Sequence, residues 1–173
     1  MADRVVRVGV TGHRKLGADP LVSWFVTAQC VRLLDRFGDL ARLRQAEVVA
    51  YSALAIGADQ LFAQAALGLN IPLVGVIPFA DYANDFQSAE RECFDALLAR
   101  CRSVERLPHR RRSSRAYFAG GKWVVDAADY LVAVWDGRPA SGTGGTADVV
   151  VYAEKKGRPV FRIDPTAAGG RAR

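Results

Sequence analysis

The sequence predicts an α/β protein: a Rossmann-like three-layer α/β/α sandwich with a mostly parallel sheet of about six strands. Short β-branched runs alternate with helical apolar periodicity from end to end. Two runs, residues 5–10 and 130–135, are too apolar throughout for half-exposed strands and belong in the middle of a sheet. Helix-length segments separate successive strands, which imposes right-handed crossovers.

Residues 5–10 (VVRVGV) form the first strand, bounded by Thr11-Gly12. Asp19 before Pro20 marks a helix start, because the carboxylate accepts first-turn amides and proline's fixed φ suits the first helical position. Leu21, Phe25, Ala28, Val31 and Leu34 keep one face apolar to about Phe37. Gly38 is expected to end that helix, although residues 39–45 could add a turn. Residues 47–51 are the second strand. The turn 52–57 then leads into a helix with Leu61, Phe62, Ala65, Ala66 and Leu69 on its apolar face, closed by Asn70. Residues 72–77 make the third strand and Pro78 stops it. A helix over 88–100 points Phe94, Leu97, Leu98 and Cys101 inward, and residues 103–107 alternate as an exposed edge strand. Ser114 is expected to cap a helix reaching Asp129, ahead of the fifth strand at 130–135. The last helix, 146–156, ends at Gly157, and residues 159–163 form the sixth strand.

With the amphipathic fourth strand at one edge and the first and fifth side by side, the expected order is 4-3-2-1-5-6. Its topological switch lies between the first and fifth strands, where open α/β sheets bind ligands beyond the carboxyl ends. A single domain is expected over residues 1–165, with a flexible tail over 166–173.

The 173 residues are 50% hydrophobic and 24% charged, enough for one buried core. No apolar run is long enough to cross a membrane, and no leader segment is recognisable, so a cytoplasmic protein is expected. Cys30, Cys93 and Cys101 lack C-x-x-C spacing, and His13 and His109 stand apart, so neither a disulfide framework nor a metal is expected. No cofactor is expected either. Residues 100–115 hold seven arginines and one glutamate, a local charge equal to the whole net charge of +6. This segment is a solvated loop, an anion-binding arm or a cationic lid.

Three loops at strand carboxyl ends gather chemistry. In the first, Thr11, Gly12, His13, Arg14 and Lys15 offer a hydroxyl, close backbone approach and phosphate-seeking cations, without G-x-G-x-x-G or Walker spacing. In the second, Ser52, Gly57 and Asp59 surround a helix start that could line an anion site, although Asp59 also suits the helix dipole there. The third carries Asp136, Gly142, Gly144, Gly145, Thr146 and Asp148 ahead of a helix. Its interleaved glycines and hydroxyls are suited to an amide nest for phosphate. Trp135 is either a base-stacking platform or core.

The segments TGHR, SALAIGADQLFAQAA and WDG…SGTGGTADVVVYAEKKGRPV, with residues 117–136 (YFAGGKWVVDAADYLVAVWD), resemble the SLOG superfamily. That grouping joins the DNA-processing protein A family to the LONELY GUY cytokinin-activating phosphoribohydrolases. The overall spacing is most similar to its stand-alone bacterial nucleotide-sensor-like branches. Nearly the whole chain is covered, and the resemblance implies a Rossmann-like fold that binds nucleotides or nucleotide-derived ligands, with homodimers common among relatives. The phosphoribohydrolases carry PGGxGTxxE, whose glutamate is tied to glycosidic cleavage; here the stretch reads SGTGGTADV, with Asp148 near that position.

The expected function is therefore binding of a nucleotide or nucleotide-derived ligand, with Thr11, Gly12, His13, Arg14, Ser52, Gly57, Asp59, Asp136, Gly142, Gly144, Gly145 and Thr146 around it. One alternative is a nucleoside 5′-monophosphate phosphoribohydrolase with Asp59, Asp136 or Asp148 as its catalytic carboxylate. A second is DNA binding through the arginines of 106–115. No membrane partner is expected.

Overall fold

In the computed structural model, which describes residues 4–139 and 144–169, six strands form one sheet. β1 (Val5–Gly12) lies between β2 (Glu47–Ser52) and β5 (Tyr130–Val134). β3 (Leu73–Ile77) and β4 (Ser103–Arg106) extend the sheet beyond β2, and β6 (Val160–Ile163) lies outside β5. Every pairing is parallel, and the order β4-β3-β2-β1-β5-β6 is the one expected from the patterning. Register carries β1 and β5 to the same level: Gly12 faces Val134 where both strands end.

Burial explains the order. Val8, Val10, Leu131, Val132 and Val134 are at most 2% exposed, so they can only stand where helices cover both faces. Each such side chain contributes roughly 1.5–3 kcal/mol relative to exposure. One core joins the sheet to α1 (Pro20–Arg44), α2 (Ala58–Gly68) and α3 (Ser88–Ala99). A smaller one, with Val76 and Leu131, seats α4 (Ser114–Ala127) and α5 (Thr146–Lys155). The two sets pack among themselves, as crossovers leaving a switch in opposite directions require.

Local signals hold at several ends and yield at others. Asp19 caps α1, its Oδ1 accepting from Leu21 N–H at 2.9 Å. Gly38 does not end that helix. Phe37 and Ala41 continue the buried face of Leu34, and this packing outweighs the roughly 1 kcal/mol propensity cost of one glycine. The helix stops instead at Gln45, which turns left-handed with φ 51°. Because a methyl group at Gly38 would meet nothing within 4 Å, Gly38→Ala is expected to stabilise the protein by about 0.5–1 kcal/mol. A thermal melt showing no gain, or a loss, would contradict that.

Ser113, not Ser114, caps α4: its hydroxyl accepts from Ala116 N–H at 3.1 Å. The helix finishes before Asp129 because Asp129 binds β1 instead, accepting from Arg7 N–H at 2.9 Å and donating its own N–H to Arg7 O at 2.8 Å. Residues 166–169 are ordered rather than frayed as expected. Pro165–Gly169 form a 3₁₀ turn against α1, and Asp164 holds it by accepting from the Thr166 amide and hydroxyl. Among the described residues no helix is long and apolar enough to cross a membrane.

Candidate ligand-binding cleft

A cleft of about 530 Å³ opens beyond the carboxyl ends of β1 and β5. Thr11, Gly12, His13, Arg14, Asp59, Asp136, Gly144, Gly145 and Thr146 all line it. Ser52, Gly57 and Asp148 stand behind the wall rather than on it, and Gly142 lies outside the described residues.

Gly12 sets the narrowest point. A Cβ there would stand 2.4 Å from Ala58 Cβ and 2.8 Å from Val134 Cβ, so the start of α2 and the end of β5 are a glycine's width apart. Gly57 serves the same closeness from the other side. It has φ +85°, and a Cβ would fall 2.6 Å from the carbonyl oxygens of both His13 and Arg14. Ala58 N–H donates to His13 O at 3.1 Å. The anion site expected at the start of α2 is thus corrected: its first amide is spent on the β1–α1 loop, and carbonyls face it.

Ser52 is completely buried and acts through Asp59. Its hydroxyl approaches Asp59 O at 3.3 Å and Oδ2 at 3.5 Å, and it accepts from Leu54 N–H at 3.0 Å. Asp59 is 5% exposed, its carboxyl turned to the cleft, and burial pushes that carboxyl up to about 7 against the pull of the Ala55 and Ala53 backbone, Ser52 and Arg14. A carboxyl in that condition can give or take a proton near neutrality.

Across Gly12, α5 points its N-terminus at the cleft. The Gly144 N–H is satisfied internally, donating to Asp148 Oδ2 at 2.6 Å. The amides of Gly145, Thr146 and Ala147 line the opening and have no acceptor among the described residues. First-turn amides with the helix dipole behind them favour an anion. Asp148 is thereby committed to capping. Asp136 is committed as well: it accepts from Arg138 N–H at 3.0 Å, with the His13 imidazole 3.1 Å from its Oδ1. The Arg138 amide, before His13, keeps the Asp136 carboxyl below its ordinary value.

Trp135 is neither buried core nor a free platform. Its indole N–H donates to Arg138 O at 2.8 Å, Arg162 lies 5.3 Å from its ring centroid, and it contributes to the cleft wall.

A fourth loop, absent from the sequence-based expectation, closes the site. The 3₁₀ turn Tyr82–Asp85 after β3 brings Tyr82 onto the cleft and Asp85 beneath it. Asp85 accepts from the Tyr117 hydroxyl and lies 3.7 Å from Arg14 and 3.8 Å from Arg112. Arg14 and Arg112 sit 5.1 and 5.9 Å from the Tyr117 ring centroid. Edge-to-face contacts of Tyr82 with Phe79, Phe86 and Phe94 hold the turn rigid. Acids and aromatics crowded into FADYANDF at a strand's carboxyl end were the available signal. Of the arginine-rich segment, Arg112 docks here, whereas Arg110, Arg111 and Arg115 face solvent.

Among the described residues no group of His, Cys, Asp or Glu gathers as for a metal ion. The cysteines are free; burial pushes the Cys30 thiol up to about 12 and Cys101 to about 11, so both are inert.

No family model matches the sequence, and no curated protein matches it. Solved structures do. DNA processing protein A of Streptococcus pneumoniae superposes with a TM-score of 0.62 at 18% identity, over 92% of this chain and 50% of its own. The chain thus spans about half the length of that protein. The Helicobacter pylori protein of the same name, described with a single-stranded DNA binding mode, gives a TM-score of 0.62 at 17% identity, over 97% of this chain and 74% of its own. A structural-genomics target, TM1055, gives 0.54 at 15% identity, over 90% and 72%. The expected Rossmann-like fold is the one this chain adopts, and it shares that fold with DNA processing protein A.

Proposed function

We propose that this chain binds a nucleotide or nucleotide-derived ligand, its phosphate held between the first turn of α5 and Arg14. The observation that carries this reading is the row of amides at Gly145, Thr146 and Ala147, without acceptors among the described residues, on a 530 Å³ cleft that also holds a guanidinium. Backbone amides and arginine together match a phosphate's several acceptor oxygens. Apolar surface from Val10, Val124, Val149 and Pro78 beside them suits a ring system.

Thermal unfolding with mononucleotides, cyclic nucleotides and ADP-ribose tests the proposal. A true ligand at about 100-fold over its Kd stabilises by about 2.7 kcal/mol, a rise of roughly 5–10 °C. Arg14→Ala should then weaken binding about tenfold. If no nucleotide moves the transition, the reading fails.

A second reading, single-stranded DNA binding, draws on the H. pylori relative and on the exposed Arg110, Arg111 and Arg115 beside the cleft. It requires oligonucleotide affinity that falls steeply with salt and drops on neutralising those arginines. Retained affinity after their replacement would remove it.

A further inference from the structure

The outer face of α1 carries apolar side chains that the fold does not cover. Leu21 is 64% exposed, Trp24 71% and Val31 36%, and Ala28 is exposed between them. Among the described residues, the other large exposed apolar side chains lie at the far end of α1, after α2, on α5 and on β6. Spacings of three and four residues line up Leu21, Trp24, Ala28 and Val31 along one side of the helix, away from the buried Val26, Cys30 and Leu34. A tryptophan held in water within such a row has the character of an anchor for another molecule.

Side-chain size and charge select the occupant. In a two-fold pair every contact occurs twice, residue i on j and j on i. With two copies of α1 antiparallel and the axis at the middle of the row, Trp24 of each copy falls on Ala28 of the other, and Leu21 falls on Val31. The largest side chain meets the smallest in both directions. Beyond Val31 this face becomes charged, with Arg32, Asp35, Arg36, Asp39 and Arg42 all exposed. Overlap confined to residues 21–31 leaves those groups in water past the start of the second helix. Asp35, next in the same spacing, then reaches that start, which has no acidic residue in its first turn. Lys15 stands beside it, bordering one surface pocket with Ser23, while Asp19 is engaged as the cap. A lipid surface suits the face less, because Asp35 and Asp39 among the arginines cancel the positive field that anionic headgroups require.

We propose that this face of α1 is the interface of a homodimer, a second copy of the chain docking antiparallel through Leu21, Trp24, Ala28 and Val31. The row is only about 15 Å long, so the pair forms reversibly. The proposal is independent of what the cleft binds.

Sedimentation velocity of the wild-type chain over a rising concentration series tests it, the mass climbing from 18.8 kDa towards twice that value. Trp24→Ala sets alanine against alanine and Ala28→Trp sets tryptophan against tryptophan, so each should weaken dimerisation about tenfold or more. Combining the two exchanges large for small in place and should restore dimerisation to within about threefold of the wild type. Both positions are exposed, so thermal melts of the dilute variants should match the wild type. A chain that stays monomeric throughout overturns the proposal, as does a dimer indifferent to both single substitutions. Loss in the single variants without recovery in the double overturns the antiparallel pairing. A monomeric chain that sediments with phosphatidylserine vesicles, and loses that in Trp24→Ala, would assign the face to a membrane and overturn the dimer.

Discussion

Asp59→Asn is expected to gain stability over the wild type by about 2–3 kcal/mol between pH 5 and pH 8. Burial raises the carboxyl from its ordinary 3.8 to about 7 in the folded chain. The unfolded chain therefore releases its proton from about pH 4 upward, while the folded chain keeps it until about pH 7. Fewer protons on the unfolded state mean that wild-type stability falls with rising pH through that window and levels off above it. Asparagine carries no such proton and escapes the loss. Neither neighbour obscures the effect, since Arg14 is held above its ordinary value and burial, with Asp59, lifts Tyr82 well above 10. For a chain of this length the difference in melting temperature should widen by roughly 5–10 °C across that range. Melts at pH 5, 6, 7 and 8 measure it, and a gap that does not change with pH would show that the carboxyl titrates normally.

Gly57→Ala should cost about 2–4 kcal/mol, from left-handed backbone strain and from a methyl group driven against two carbonyls. The residue has φ +85°, and a Cβ would meet the oxygens of His13 and Arg14 at 2.6 Å, where only backbone could give way. Displacing that loop moves Arg14, so phosphate affinity should fall alongside stability. Gly17→Ala is the matched control: its φ is +86°, but a Cβ there meets nothing within 4 Å. It should lose only the backbone strain, about 1–2 kcal/mol. Equal losses in the two variants would mean that the contact between the β1–α1 and β2–α2 loops does not require Gly57.

Both predictions concern residues whose importance was legible in the sequence but whose roles were not. Gly57 read as the floor of an anion site; in the fold it lets two loops touch, and Ala58 N–H goes to His13 O. Asp59 could be a dipole-matched residue or a ligand contact until burial and Ser52 gave its carboxyl a raised proton affinity. Asp148 read as a catalytic candidate because it stands near a family glutamate, yet it caps Gly144 N–H. Tyr82, Asp85 and Tyr117 were missed because the acids and aromatics of FADYANDF do not show which distant residue they meet: the Tyr117–Asp85 hydrogen bond links residues 32 apart.

The division follows from how far each kind of information reaches. Strand identity, helix faces, the Asp19 cap and the sheet order were all readable from the sequence alone. Each rests on spacing of two to four residues or on which run is too apolar for an edge. Tertiary structure alone decided that α1 continues past Gly38, that Arg112 docks on Asp85 while its neighbours face water, and that Tyr82 comes onto the cleft wall. Those outcomes depend on which distant side chains exclude water from a position, a quantity set only when the layers close.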